Sequence, residues 1–436
     1  MPKKIHFYKK NFLIYGFGKS GLASYNYLNL KNNCKIIDDN KKNIPKKFKS
    51  KTINYTQLKK IYFDYIVISP GININKCKLS SFLKKNEFKI ITDFDIFYSN
   101  YPKIKKITIT GTNGKSTTSK LLFNILKEHK KDVRLTGNIG NSILSEKKIT
   151  NKTIFIIEAS SYQLDYSKFF RSDYSLILNL SPDHIERHGN FNNYVKAKFK
   201  LIKNQSKKNL AFIENNNSLL NNLIKKNKIK SKIYKVNYKK YQQYYKLLDN
   251  HYFQNLSNIK NLSFIFALSK CLKLSLRKII KTTNKFKGLN FRQQIIYNSK
   301  KLIIINDSKS TSFSSTKPLL ETYDNIYWIL GGLAKKGDKL KLDRKHFRKI
   351  NAFIYGKDKI FFSKELYGKV KFKISKSLNN ILFIIFKDLK KHFIGKMIIL
   401  FSPSAASFDQ FKNFEERGKY FNKIIKKYIK KYKNTL

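Results

Sequence analysis

Acidic residues are scarce in this chain: 27 Asp and Glu stand against 91 Lys and Arg, for a net charge of +64. Arginine is scarce too, with eight against 83 lysines. Surfaces that read nucleic acid lean on arginine, whose planar fork pairs bidentately with phosphate and guanine. The lysine excess instead runs through the whole chain beside much Asn, Ile, Tyr and Phe, the residue set expected from A/T-rich codons. It makes a generally anion-attracting surface and argues against nucleic acid as a partner. Cysteine is rare: Cys34, Cys77 and Cys271 lie far apart and form no CxxC. An odd, scattered set argues against both a disulfide framework and a zinc site, and suits a reducing cytoplasm. No stretch approaches the roughly 20 apolar residues of a membrane-spanning helix, so no membrane insertion is expected. The opening MPKKIHFYKKNFLIYGFG is cut short by Lys19 and lacks a cleavage site. It reads as a first strand and not as a signal peptide.

What is present is ample core material, 41% apolar and 14% aromatic over 436 residues, which excludes a wholly disordered chain. At roughly 100–200 residues per domain this length holds two to four domains. Short apolar strands alternate with longer helical patterns, the signature of an α/β protein with mostly parallel sheets. Three blocks emerge, 1–102, 103–288 and 289–436, with boundaries at Tyr101-Pro102 and Lys287-Gly288. The first holds strands at Asn11–Tyr15, Cys34–Ile37 and Tyr65–Ser69; the second at Ile107–Thr110, Thr153–Ile157 and Leu176–Leu180. The third opens on a hairpin-like pair, Arg292–Tyr297 and Leu302–Asn306, and continues at Ile326–Leu330, Ala352–Tyr355 and Met397–Phe401. The stretch Lys203–Tyr245 is Lys/Asn/Tyr-rich and uninformative, and Tyr420–Leu436 reads as a solvated amphipathic helix.

Gly16-Phe17-Gly18-Lys19-Ser20-Gly21 follows a strand and opens a helix at Leu22–Leu28, with Asp38 and Asp39 ending the next strand. Alone, this is the dinucleotide-binding pattern: a tight glycine turn and a helix N-terminus facing a pyrophosphate. A second phosphate loop, Gly111-Thr112-Asn113-Gly114-Lys115-Ser116-Thr117, lies between a strand and a helix starting near Thr118. Its backbone N–H groups can wrap polyphosphate, Lys115 can reach the terminal phosphates and Ser116 can sit on Mg²⁺. Two nucleotide sites exceed what a dehydrogenase needs. Glu158 ends an apolar strand in the same block, well placed as a magnesium ligand. His184 and His188 stand four apart in Asn179–Gly189, but without an HExxH or a nearby cysteine the zinc reading is weak, and a loop addressing phosphate and Mg²⁺ fits better. By composition, Lys198 is one lysine among 83.

Together, GTNGKST, the Glu158 strand end with its ASSYQL, the Asp183-His184 segment and the Ala197-Lys198 pair resemble the Mur ligases, ATP-dependent amino-acid ligases of peptidoglycan precursor synthesis. Asn306–Thr311 (NDSKST) and Ser402–Gly418 (SPSAASFDQFKNFEERG) resemble the D-glutamate-adding branch. The resemblance runs from Gly16 to Gly418 and implies three domains: a Rossmann-like UDP-substrate domain, a P-loop ATP domain and a Rossmann-like amino-acid-binding domain. It implies ATP-dependent joining of D-glutamate to UDP-N-acetylmuramoyl-L-alanine through an acyl phosphate, by a cytoplasmic monomer that takes small molecules as its partners.

The implied site follows residue by residue. Gly111 to Thr117, Arg292 and Asp307 would bind ATP. Gly18, Lys19, Ser20, Asp38, Ser69, Gly71 and Asn138 would hold the UDP substrate. Lys309, Thr311, Lys335, Ser407, Phe408 and Phe414 would hold D-glutamate. Two Mg²⁺ ions would be served by Ser116, Glu158, His184 and Lys198, the last as a carbamate. Lys115, Lys198 and His184 would act in catalysis. The family's usual His-Arg pair reads Phe291-Arg292 here, and Gln293 and Gln294 replace an expected acid, so Phe291 would keep a stacking contact with the ATP base without a hydrogen bond. Competing readings are another amino-acid ligase of the superfamily, such as a folate-extending one, and a basic P-loop ATPase that binds nucleic acid.

Overall fold

A computed structural model describes residues 7–335, 337–391 and 395–432. The first six residues of the opening stretch and the last four of the expected terminal helix lie outside them. The chain forms two compact units, 1–247 with 260–283, and 248–259 with 284–436.

The first unit carries two parallel sheets. One has β1 (Asn11–Tyr15), β2 (Asn33–Ile37), β3 (Tyr65–Ile68) and β4 (Ile90–Ile91) in the order β2-β1-β3-β4. The other has β5 (Lys105–Thr110), β6 (Val133–Gly137), β7 (Ile154–Glu158), β8 (Tyr174–Ile177), β9 (Leu210–Glu214) and β10 (Lys232–Val236), ordered β10-β9-β8-β5-β7-β6. Central strands such as β1 and β7 are continuous apolar runs because helices cover both faces of a parallel sheet. The two sheets share a core in which Phe94 and Phe97 pack on Phe170 and Phe155. Asp95, fully buried, locks this junction. Its carboxylate accepts from the Thr92 amide and hydroxyl, the Ser167 hydroxyl, and the amides of Lys168, Phe169 and Phe170.

The second unit is built on β11 (Gln294–Asn298), β12 (Leu302–Asn306), β13 (Ile326–Gly331), β14 (Ile350–Tyr355), β15 (Lys371–Ile374) and β16 (Met397–Phe401), ordered β11-β12-β16-β13-β14-β15. Only the β11–β12 hairpin is antiparallel among these pairs, as its short connection requires. One face packs on the helix Leu378–Lys391 and on the helix Phe414–Lys431, which begins six residues before the expected amphipathic run and buries Phe421 and Ile425.

Three expectations need correction. Lys203–Tyr245 is not featureless: it supplies β9, β10 and the helix Ser218–Lys226 between them, an ordinary crossover masked by its lysine and asparagine content. The strand expected over Leu176–Leu180 ends at Ile177: the Leu178 amide still donates to the Thr110 carbonyl at the end of β5, and the Asn179 carbonyl turns to the Thr112 amide of the phosphate loop. The helix after that loop starts at Lys115 and not near Thr118, since Gly114 takes the left-handed conformation (φ +81°) at its N-cap. Among the described residues no helix is long and apolar enough to cross a membrane.

Candidate active site

Most motifs singled out in the sequence follow the C-terminal end of a parallel strand, the edge where α/β sheets bind ligands, whereas the Ala197-Lys198 pair lies within a helix and Phe291-Arg292 precedes β11. After β1, the turn at Gly16 (φ +90°) is closed by the Ser69 hydroxyl donating to the Gly16 carbonyl at 2.7 Å. A Cβ on Gly21 would overlap that carbonyl, which explains the third glycine of the pattern. The helix runs from Lys19, three residues earlier than expected, leaving Gly18 and Lys19 exposed at its start with Ser20 half-buried. Asp38 turns inward: it accepts from the Phe17 amide (2.6 Å) and the Asn40 amide (2.8 Å). Gly71 is exposed on the loop after β3.

The phosphate loop after β5 is braced, not floppy. Asn179 accepts from the Asn113 amide through its side chain (2.8 Å) and from the Thr112 amide through its carbonyl (2.9 Å), and returns a bond to the Asn113 carbonyl (3.0 Å). The Thr112 hydroxyl meets that of Tyr194 at 2.9 Å. A Cβ on Gly114 would overlap the side-chain amide of Asn261. Lys115 arches over its own loop, donating to the carbonyls of Gly111 (2.9 Å) and Thr112 (2.8 Å). Behind it starts the 14-residue helix Lys115–Glu128, whose first-turn amides have no intrahelical acceptor and whose dipole favours an anion. Ser116 is buried and Thr117 nearly so.

Lys198 touches this loop, while Glu158 ends the neighbouring strand β7 and His184 follows the neighbouring strand β8. Glu158, 1% exposed at the end of β7, accepts from the Asn138 side chain at 2.8 Å through Oε1, while its Oε2 is buried with no hydrogen-bond partner among the described residues. Asn138, expected on the substrate, thus also orients Glu158. Lys198, equally buried on the helix Phe191–Lys203, donates to the Gly111 carbonyl (2.9 Å) and the Thr110 hydroxyl (3.2 Å) over the ring of Tyr194. Burial drives its ammonium well below the ordinary lysine range; Lys115 adds to the shift, and Asp183 and Glu158 oppose it. His184, a left-handed N-cap (φ 53°), bonds the Tyr162 hydroxyl at 2.9 Å and lies 3.4 Å from Asp183. His188 points elsewhere, to the Ser161 hydroxyl at 3.0 Å, so the two histidines do not share a ligand position.

In the second unit Asp307 is buried, accepting from the Ser402 hydroxyl (2.9 Å) and the Gln293 amide (3.1 Å), and burial pushes its carboxyl up to about 7. Lys309 sits 4.1 Å over the Phe414 ring, with Arg292 at 5.9 Å from the same ring. Ser407 is buried nearby in sequence while Phe408 is 71% exposed, and Thr311 and Lys335 are half-buried. Leu333 and Ala406 exchange backbone bonds that tie the Lys335 loop to the Ser407 loop. The ring of Phe291 lies against Gly418, where a Cβ would collide with it, so this face of the ring is spent on packing. Arg417, also buried, holds Ser308 and the Ala405 carbonyl in place. Sequence reasoning did not single out Asn179, Tyr194, Asn261 or Arg417 as site residues. Tyr194 had a usable signal, one helical turn before Lys198; Asn261 had none.

The Mur ligase middle domain family matches residues 109–277. Relatives named UDP-N-acetylmuramoylalanine--D-glutamate ligase align over almost the whole chain. That of Rickettsia bellii is 32% identical, covering 95% of this chain and 97% of its own. That of Elusimicrobium minutum is 33% identical, covering 98% and 100%. Among solved structures, the MurF ligase of Thermotoga maritima in complex with ADP superposes with a TM-score of 0.57 at 15% identity, over 97% of this chain and 96% of its own. The UDP-N-acetylmuramate-alanine ligase MurC of the same organism gives 0.53 at 16%, over 97% and 99%.

Proposed function

The chain belongs to the Mur ligase family, and from that premise we propose that it joins D-glutamate to UDP-N-acetylmuramoyl-L-alanine at the expense of ATP, in peptidoglycan precursor synthesis. The observation that carries the choice of substrates is the 32% identity, sustained over nearly the full length, with relatives named for that reaction. On the same reading it works as a monomer in the cytoplasm on small molecules alone. Residues 1–102 take the UDP end, 103–288 take ATP and 289–436 take the amino acid.

A carboxylate resists attack by an amine until one oxygen becomes a good leaving group. Phosphorylation of the alanyl carboxylate by ATP provides it; the D-glutamate amine then attacks the acyl carbon and inorganic phosphate leaves. Phosphoryl transfer to an anion mainly needs positioning and charge neutralisation. The braced loop and the helix behind it suit the first need, and Lys115 the second. Two Mg²⁺ ions, held by Ser116, Glu158, His184 and a carbamate on Lys198, would supply the rest of the neutralising charge. The fit is supported by the Oε2 of Glu158, a carboxyl oxygen buried with no hydrogen-bond partner among the described residues. Burial favours the neutral amine of Lys198, the form that adds CO₂. D-Glutamate brings two carboxylates, for which Lys309 and Lys335 are the anchors. Incubation with ATP, Mg²⁺, UDP-N-acetylmuramoyl-L-alanine and either glutamate enantiomer tests the reading. A product one D-glutamate residue heavier, with stoichiometric phosphate, supports it; equal use of L-glutamate, or no product, sinks it.

A further inference from the structure

The second unit holds a cluster of ligating side chains on the edge of its sheet opposite to Asp307, Ser402 and the loop after β13. Glu321 lies in the last turn of the helix Phe313–Thr322 that leads into the start of β13, while Asp343 precedes and His346 lies on the 3-10 turn Arg344–Lys349 that leads into the start of β14. One ligand atom from each of the three lies within 4.8 Å of the others. We propose that Glu321, Asp343 and His346 bind a divalent transition-metal cation of the zinc class, which ties the two crossover connections together.

Four observations carry this. His346 is 8% exposed, and its Nδ1 is buried with no hydrogen-bond partner among the described residues, an arrangement that a protein interior rarely leaves unexplained. Asp343 occupies the N-cap position of its turn but makes no side-chain cap bond, although aspartate is among the residues best suited to do so. Its carboxylate instead faces the other two groups, while the His346 amide donates to the Asp343 carbonyl at 3.0 Å and fixes their spacing. Glu321 stands at the C-terminal end of a helix, where the dipole favours a cation. Its ion pair to Lys317, at 3.4 Å, joins two partly exposed side chains and is readily displaced. One imidazole with two carboxylates suits a borderline cation such as Zn²⁺ better than Mg²⁺, which takes oxygen ligands and keeps its waters. The remaining coordination positions would go to water, since Glu321 and Asp343 are exposed.

The test uses the full chain, stripped with a chelator and titrated with Zn²⁺ alone against a chromophoric competitor, for the wild type and for Glu321→Gln, Asp343→Asn and His346→Gln. Each variant keeps every residue of the ATP site, so zinc bound there cancels in the difference. The expected result is one equivalent fewer in each variant, and a larger rise in melting temperature on adding zinc to the wild type than to the variants. The two carboxylate variants alter exposed side chains and keep the experiment decisive if His346→Gln folds poorly. Equal stoichiometry in the wild type and in Glu321→Gln and Asp343→Asn overturns the proposal.

Discussion

Gly114→Ala probes the phosphate loop at the point where backbone conformation and packing coincide. Gly114 sits at φ +81°, where a side chain costs about 1–2 kcal/mol, and its missing Cβ is the space taken by the Asn261 amide. The alanine variant therefore carries backbone strain and a steric collision, and both are relieved if the loop opens. If strain alone is converted into loop opening, nucleotide affinity falls by roughly 5–30-fold; the collision makes the loss larger. Asn261→Ala removes the collision and leaves the strain. The double variant should thus recover part of the affinity lost by Gly114→Ala and stop short of the wild type. Calorimetric titration with ADP measures all four proteins. Wild-type affinity in Gly114→Ala, or a double variant no better than the single one, would refute this account of the loop.

Other perturbations address the remaining groups. Lys115→Ala should abolish ATP-dependent turnover, measured as phosphate release, while leaving the far-ultraviolet circular dichroism unchanged. Lys198→Ala should lose most activity and regain part of it with a small added carboxylate; unchanged kinetics would exclude the carbamate. Because burial depresses the Lys198 pKa, the unfolded chain binds a proton there that the folded chain does not, over the range between its folded value and about 10.4. Wild-type stability relative to Lys198→Met in bicarbonate-free buffer should therefore improve as pH rises toward that upper limit and worsen as it falls, which urea unfolding at several pH values reads directly. Asp95→Asn turns an acceptor-only group, fed by six donors, into one with an NH₂ facing some of them. It should cost about 3 kcal/mol by urea unfolding.

Much of the architecture was legible because its signals are local. Apolar runs such as Ile154–Ile157 are buried on both faces wherever a parallel sheet forms, the glycines at 16, 111 and 114 serve turns that few other residues can make, and Gly21 lets its helix approach the Gly16 carbonyl. Element ends were less legible. The strand ending at Ile177 is followed by Asn179, which is drawn to the phosphate loop, and β9 and β10 were hidden by a composition shared with the solvated surface.

The amino-acid order by itself determined the alternation of strands and helices, the two glycine loops and the motif strings at strand ends, since each rests on periodicity or backbone freedom within a short window. Tertiary structure alone decided which of 83 lysines lose their water: Lys106 and Lys198 are each 1% exposed, and Lys198 reaches the Gly111 carbonyl across 87 positions of chain. It likewise decided that one carboxyl oxygen of Glu158 is buried with no partner among the described residues, that one face of Phe291 is spent on Gly418, and that His346 meets Glu321 and Asp343. Burial and long-range pairing depend on which crossovers stack beside one another, and no short window of sequence carries that information.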